Sequence, residues 1–177
     1  FAVVALLPGR GDAQGGGAVY TDALASGWQN WSWSTTANFA TTSPTHGGSQ
    51  SIAVTYTAAW AGLYLHTDTA IPGATYNTLR FYINGGTGGQ GIEVKLADGA
   101  QNLGVGVAVN VAANSWAQVD VPLGNLGSPA QITGIVLQDT TGHAQSTFYL
   151  DDISFVATAT TPTPTLPPGA GPALSVD

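Results

Sequence analysis

The sequence predicts an all-β fold: a two-sheet antiparallel β-sandwich of jelly-roll type. Three observations predict it. Between positions 18 and 157, apolar and polar residues alternate with period two in one segment after another. Clusters of turn residues, "HGG", "NGGTGG", "ADG" and "TTG", separate those segments. No window long enough for an ordinary helix places its apolar residues at helical spacing. About nine or ten strands then pack most simply as two antiparallel sheets.

The segments run in order along the chain. "VYTDAL" opens the body and carries Asp22. "GWQNWSW" packs Trp28, Trp31 and Trp33 into a few positions. Trp28 lies before the regular pattern and is expected to close one end of the sandwich. Alternation puts Trp31 and Trp33 on one face and Asn30, Ser32 and Ser34 on the other. Whether the two tryptophans face the core or a ligand stays open at this level. "SIAVTY" places Ile52, Val54 and Tyr56 together. "WAGLYLH" sets Leu63 and Leu65 against Trp60, Tyr64 and His66. "LRFYIN" turns Leu79, Phe81 and Ile83 inward and leaves Tyr82 on the surface. "IEVKLA" opposes Ile92, Val94 and Leu96 to Glu93 and Lys95. "LGVGVAV", "WAQVDVPL", "ITGIVLQD" and "TFYLDDISF" complete the set. Trp116, at the head of "WAQVDVPL", is expected to plug an end of the core.

Composition narrows the function. Charged residues are 7% of the chain, against about 25% in ordinary soluble proteins. Only Arg10, Arg80 and Lys95 are basic, and the net charge is −7. A reader of nucleic acid needs a basic stripe, and an anionic membrane surface needs basic clusters. Neither partner fits. With no cysteine, disulfides, thiolate chemistry and Cys-ligated zinc are excluded.

Catalytic patterns are missing as well. A glycoside hydrolase generally sets two carboxylates across the scissile bond. Here Glu93 is the one glutamate among nine aspartates, and nothing marks a pair. His46, His66 and His143 lack metalloprotease spacing, and no serine sits in a GxSxG elbow. Gly86–Gly91 spells GxGxxG, but strand follows strand there and no helix N-terminus comes next to hold a pyrophosphate. The chain is expected not to be an enzyme.

The aromatic residues support a binding role. With Leu63 and Leu65 claiming the core, Trp60, Tyr64 and His66 should project outward, Trp60 and Tyr64 about 13 Å apart along one strand face. Exposed aromatic rings in a row indicate a binding surface. The C–H face of a β-linked pyranose suits a π cloud. Gln138, Glu93, Lys95 and His66 would bind sugar hydroxyls if their strands are neighbours. The aspartates suggest a second role. First and last strands of a jelly roll are often adjacent, which brings Asp22 near Asp151 and Asp152. An inward carboxylate there needs a partner, and Ca²⁺ would supply one.

Outside the body, residues 1–17 read as a signal remnant or flexible tail. "FAVVALLPGRGDA" has the apolar run, breaker and small residues that end a secretory signal, so an extracellular location is expected. "RGD" at Arg10–Asp12 is read as a chance match. Residues 158–172, "TATTPTPTLPPGAGP", form a semi-rigid Thr/Pro linker. "ALSVD" then reads as the start of a next domain.

"YTDAL", "GWQNWSW", "HGGSQSIAVTY", "WAGLYLH", "LRFYING", "WAQVDVPL" and "FYLDDISF", in that order, resemble the β-sandwich carbohydrate-binding modules appended to plant-cell-wall glycoside hydrolases. The Trp-rich stretch with "WAGLYL" is similar to cellulose- and β-glucan-binding modules of bacterial endoglucanases, such as family 81. "PALSVD" resembles the opening of a family 44 endoglucanase or xyloglucanase domain. The resemblance implies a monomeric, non-catalytic module that holds β-1,4-glucan, mixed-linkage glucan or xyloglucan. It would target a linked hydrolase to the plant cell wall. It also implies a structural calcium on Asp22 and Asp152, with Asp151. The rival reading is a structural or adhesive sandwich, such as a filament subunit donating "FAVVALL" to a neighbour.

Overall fold

The computed structural model describes residues 17–157. The expectations placed on residues 1–16 and 158–177, the signal remnant, the linker and the start of a further domain, lie outside the described residues. Eleven strands form: β1 (Ala18–Tyr20), β2 (Trp28–Asn30), β3 (Thr35–Thr41), β4 (Ser51–Tyr56), β5 (Gly62–Pro72), β6 (Thr78–Asn84), β7 (Ile92–Asp98), β8 (Val107–Val109), β9 (Trp116–Pro122), β10 (Gln131–Asp139) and β11 (Phe148–Val156). The strand that the pattern did not announce is β3. Its sequence, TTANFAT, alternates in burial, but Thr, Ala and Asn give little apolar contrast.

Two antiparallel sheets result. The first runs β3-β4-β11-β6-β9, with β1 also paired to β11; the second runs β2-β5-β10-β7-β8. First and last strands are neighbours, as expected. The period-two segments turn their apolar sets to the space between the sheets, except "LGVGVAV", where Leu103 and Val105 are exposed and only Val107–Val109 form a strand. Ile52, Val54 and Tyr56 face Leu63 and Leu65. Leu79, Phe81, Ile83, Phe148 and Leu150 meet Ile92, Val94, Leu96, Ile135 and Leu137. All are buried, and each full burial contributes about 1.5–3 kcal/mol. The Tyr56 hydroxyl crosses the core and donates to the Leu137 carbonyl at 2.7 Å, which removes the cost of burying a phenol.

One of the two end-plugging expectations changes. Leu123 and Leu126, in a short 3-10 turn, are buried at one end of the core. Trp116 is not part of that core. It is half-buried on the outer side of the first sheet, with the His46 ring edge-on at 5.9 Å. Trp28 does pack on the core, its ring 6.5 Å from that of Phe155.

Candidate functional site

Inward parity fixes outward parity. Because Leu63 and Leu65 face the core, Gly62, Tyr64 and His66 of β5 face away from it. By the same rule Gly134, Val136 and Gln138 of β10, and Glu93, Lys95 and Ala97 of β7, lie on that outer face. Register aligns them across the sheet: Gln138 opposes Gly62 and Glu93, Val136 opposes Tyr64 and Lys95, and Gly134 opposes His66. The condition that their strands be neighbours is met, because β10 lies between β5 and β7.

Trp31 and Trp33 join this outer face. The Trp31 N–H donates to the Tyr64 carbonyl at 2.8 Å, and Trp33 exchanges backbone hydrogen bonds with Gly62. The Trp31 indole lies on the His66 imidazole, with centroids 3.6 Å apart and planes 20° from parallel. It remains 41% exposed. Both indoles approach the Tyr64 ring edge-on, Trp31 at 6.0 Å and Trp33 at 6.5 Å. The core alternative for the two tryptophans is therefore ruled out.

Two glycines make room for the rings. A Cβ on Gly62 would lie within 2.9 Å of Trp33 Cε2, and closer still to Cζ2 and Cη2. A Cβ on Gly134 would crowd the Tyr64 ring in the same way. The rings thus lie down on bare backbone, which is the meaning a glycine inside a strand often has.

Polar bonds hold the cluster in place. Trp31 Nε1–H donates to Gln29 Oε1 at 3.0 Å, and Gln29 Nε2–H donates to Asp68 Oδ2 at 2.7 Å. His66, buried, sits with Nε2 3.1 Å from Asp68 Oδ1 and Nδ1 3.3 Å from the Tyr64 hydroxyl. Toward β7 the face becomes polar. Lys95 Nζ pairs with Glu93 Oε1 at 2.7 Å and donates to Gln138 Oε1 at 2.9 Å.

Trp60 differs from expectation. It does not lie on β5, which begins at Gly62. It occupies the preceding turn at φ 58°, a conformation that costs a bulky residue about 1–3 kcal/mol. Its ring is 60% exposed and lies near Gly142. Its carbonyl accepts the Trp33 Nε1–H at 2.8 Å. Asp139 pins the turn. This buried carboxylate accepts the N–H of Trp60 at 2.8 Å, of Thr141 at 2.7 Å and of Gly142 at 3.0 Å, and it also accepts from the Gln145 amide. Burial alone would raise its pKa; the Thr141, Trp60 and Gln145 bonds outweigh that and bring it down to about 2.

The three candidate metal-ligating acids, Asp22, Asp151 and Asp152, form a clasp. Asp151 is fully buried, and it has partners. One oxygen accepts the N–H of His46 at 2.8 Å and of Gly47 at 3.2 Å; the other accepts the N–H of Asp152 at 2.8 Å. Asp22 Oδ1 accepts from Ser49 and Gln50 at 2.6 and 2.8 Å. Asp152, at φ 48° in a β-bulge, sets its carboxylate 2.7 Å from His46 Nδ1. The calcium expectation rested on an inward carboxylate in want of a partner, and backbone amides fill that need. Among the described residues no three His, Asp or Glu side chains group to hold a metal ion. This donor set fits a clasp on the 46–50 turn rather than a calcium cage.

The structure thus gathers Trp31, Trp33, Tyr64, His66, Gln138, Glu93 and Lys95 on one sheet face, with Trp60 in the turn that bonds Trp33. Sequence reasoning missed Gln29, Asp68, Asp139, Gly62 and Gly134. The glycines alone carried a signal, being in-strand glycines beside aromatic residues.

Comparison with known proteins supplies the family. A family model described as the expansin-like protein C-terminal domain matches residues 19–158. An endoglucanase of Dictyostelium discoideum is 29% identical over 150 residues, covering 80% of this chain and 21% of the relative, so the chain spans about a fifth of that protein. Two solved family 29 carbohydrate-binding modules share the fold. One is a CBM29-2 variant complexed with cellulohexaose, at TM-score 0.58 and 14% identity, covering 78% of this chain and 87% of the other. The second, CBM29_1 from Piromyces equi, gives TM-score 0.53 and 15% identity over 78% and 87%. At those identities the likeness is one of fold: it supports a β-sandwich of the carbohydrate-binding-module type and does not extend to the family 81 expected from the sequence. By the match over nearly all of the described sandwich, this chain belongs to the expansin-like protein C-terminal domain family.

Proposed function

We propose that this chain is a non-catalytic carbohydrate-binding module. It holds β-1,4-glucan and mixed-linkage β-glucan chains, xyloglucan included, on the outer face of the second sheet. One observation carries the reading: Trp31, Trp33 and Tyr64 converge on a face where the Glu93–Lys95 ion pair lies beside them with Gln138. Pyranose C–H faces stack on the indoles, while Gln138, Glu93 and Lys95 meet the ring hydroxyls. Each stack contributes about 0.5–1.5 kcal/mol beyond area burial, so a few stacks correspond to micromolar affinity at best. Binding raises the local concentration of a linked hydrolase at the plant cell wall. A secreted, monomeric protein joined to a glycoside hydrolase through residues 158–172 is part of the same proposal. The endoglucanase relative and the fold shared with a cellulohexaose-bound module support it.

Affinity electrophoresis in barley glucan tests the proposal. Trp31→Ala should clearly weaken retardation and leave the thermal transition within a few degrees, because the indole rests on His66 outside the core. Retardation equal to the unaltered chain would refute the assignment of this face.

A further inference from the structure

The opposite sheet carries a second feature of the same chemistry. On the first sheet, inward Leu79, Phe81, Ile83, Phe148 and Leu150 leave Tyr82, Asn84 and Tyr149 facing away from the core. Tyr149 and Asn84 are register partners, and Asn84 in turn opposes Trp116 on β9. A cleft of about 670 Å³ opens there, lined by Tyr149, Asn84, Thr55, Thr87, Ser146 and Thr147 among others, with no charged residue in its wall. That volume lies within the range of about 300–1,000 Å³ typical of small-ligand sites.

The walls are preformed. Gln90 Nε2–H donates to the Gly85 carbonyl at 2.8 Å and to Ser146 Oγ at 2.9 Å, which ties the two loops at the rim together. Thr55 and Thr147 share a hydroxyl bond of 2.6 Å across the floor. Beyond Asn84 the aromatic surface continues. The His46 imidazole lies flat on Tyr82, with centroids 3.5 Å apart and planes 15° from parallel, and Trp116 borders the pair. Tyr149 and Trp116 stand two strands apart, about 10 Å at ordinary strand spacing, a separation on the scale of a disaccharide unit. A ring, amides and hydroxyls without charge are what a neutral sugar chain requires. The ionisable side chains of this face, Arg80 with Asp120 and Asp152 with His46, pair with one another outside the cleft wall.

We propose that the outer face of the first sheet is a second glucan-binding site, centred on Tyr149 and extending toward Trp116. It rests on the glucan-binding reading of the other face. The two faces point in opposite directions across the packed core, so one stiff chain cannot lie on both. The module therefore bridges two polysaccharide chains.

Titration calorimetry of the full chain with cellohexaose tests this, with circular dichroism melting as the control for folding. The expected stoichiometry is two ligands per chain, one after Trp31→Ala, one after Tyr149→Ala and none in the double variant. Thr87→Arg places a long cationic side chain at the rim from an exposed turn position. It repeats the Tyr149 experiment if Tyr149→Ala does not fold. A single site removed by Trp31→Ala and untouched by Tyr149→Ala and Thr87→Arg overturns the second site and leaves the first in place. A single site lost with Tyr149→Ala and untouched by Trp31→Ala overturns bridging and the first-face assignment together, as does a complete lack of cellohexaose binding.

Discussion

Replacing Gly62 with alanine adds one methyl group beneath Trp33, and the surrounding geometry dictates how the indole responds. Gly62 has no left-handed φ, so alanine suits its backbone. The new Cβ would stand within 2.9 Å of Trp33 Cε2, whereas carbon atoms rest at about 3.5–4.0 Å. The indole must rise by roughly 1 Å, and it cannot do so while Nε1–H stays bonded to the Trp60 carbonyl at 2.8 Å. One stacking platform leaves its position. At about 0.5–1.5 kcal/mol per ring, affinity for cellohexaose should fall about 2- to 12-fold. Stability should barely move. Losing a hydrogen bond costs about 1 kcal/mol, and restricting the unfolded chain returns about 0.4–1 kcal/mol. Titration calorimetry beside a melting curve reads both quantities. Gly124→Ala is the control, because nothing lies within 4 Å of a Cβ there. Unchanged affinity in Gly62→Ala at an unchanged melting temperature would show that Trp33 is not a platform, and the assignment of this face would lose its main support.

The buried and clasping acids give two further expected outcomes. Asp139 has a folded pKa depressed to about 2 from the ordinary 3.8, so its stabilisation is present above pH 4 and lost as pH falls through 2. That shift is worth about 2 kcal/mol. The stability gap between the unaltered chain and Asp139→Asn, measured by urea unfolding, should therefore shrink between pH 5 and 2; a gap independent of pH would sink the account. The clasp formed by Asp22, Asp151 and Asp152 predicts that millimolar Ca²⁺ and EDTA give the same melting temperature. A structural site at one hundred times its Kd would add about 2.7 kcal/mol, or several degrees, and a shift of that size would refute the clasp.

Parity was legible in the sequence, and neighbourhood was not. Leu63 and Leu65, Ile92, Val94 and Leu96, and Ile135 and Leu137 each fix which way their strand faces, since alternation is local and every apolar set must be buried. Whether Gln138 and Glu93 stand beside Tyr64 depends on sheet order, which pairs residues far apart in the chain. Trp60 shows the limit more sharply. Alternation alone extends β5 back to it, but a carboxylate 79 positions away bonds its N–H and holds it in a turn that no local pattern announces. The calcium expectation meets the same boundary. "DDI" signals a bulge and an inward acid, while the amides that satisfy that acid come from His46 and Gly47, on a turn remote in sequence.

Gly62 and Gly134 explain why the tryptophan cluster resisted a decision between core and ligand. A tryptophan that stands up from a sheet face exposes most of its surface, and one in the core exposes none. Trp33 does neither, because Gly62 lets the indole sink by the depth of a side chain until it lies against backbone. Much of its surface is then buried without any contact with the core, and its edge meets Tyr64. Hydrophobicity patterns sort residues as inside or outside and have no category for a ring lying flush on the outside. In-strand glycine paired with an aromatic on the adjacent strand supplies that category. Gly62 with Trp33 and Gly134 with Tyr64 satisfy it side by side, so the platform is a property of the glycines as much as of the rings they carry.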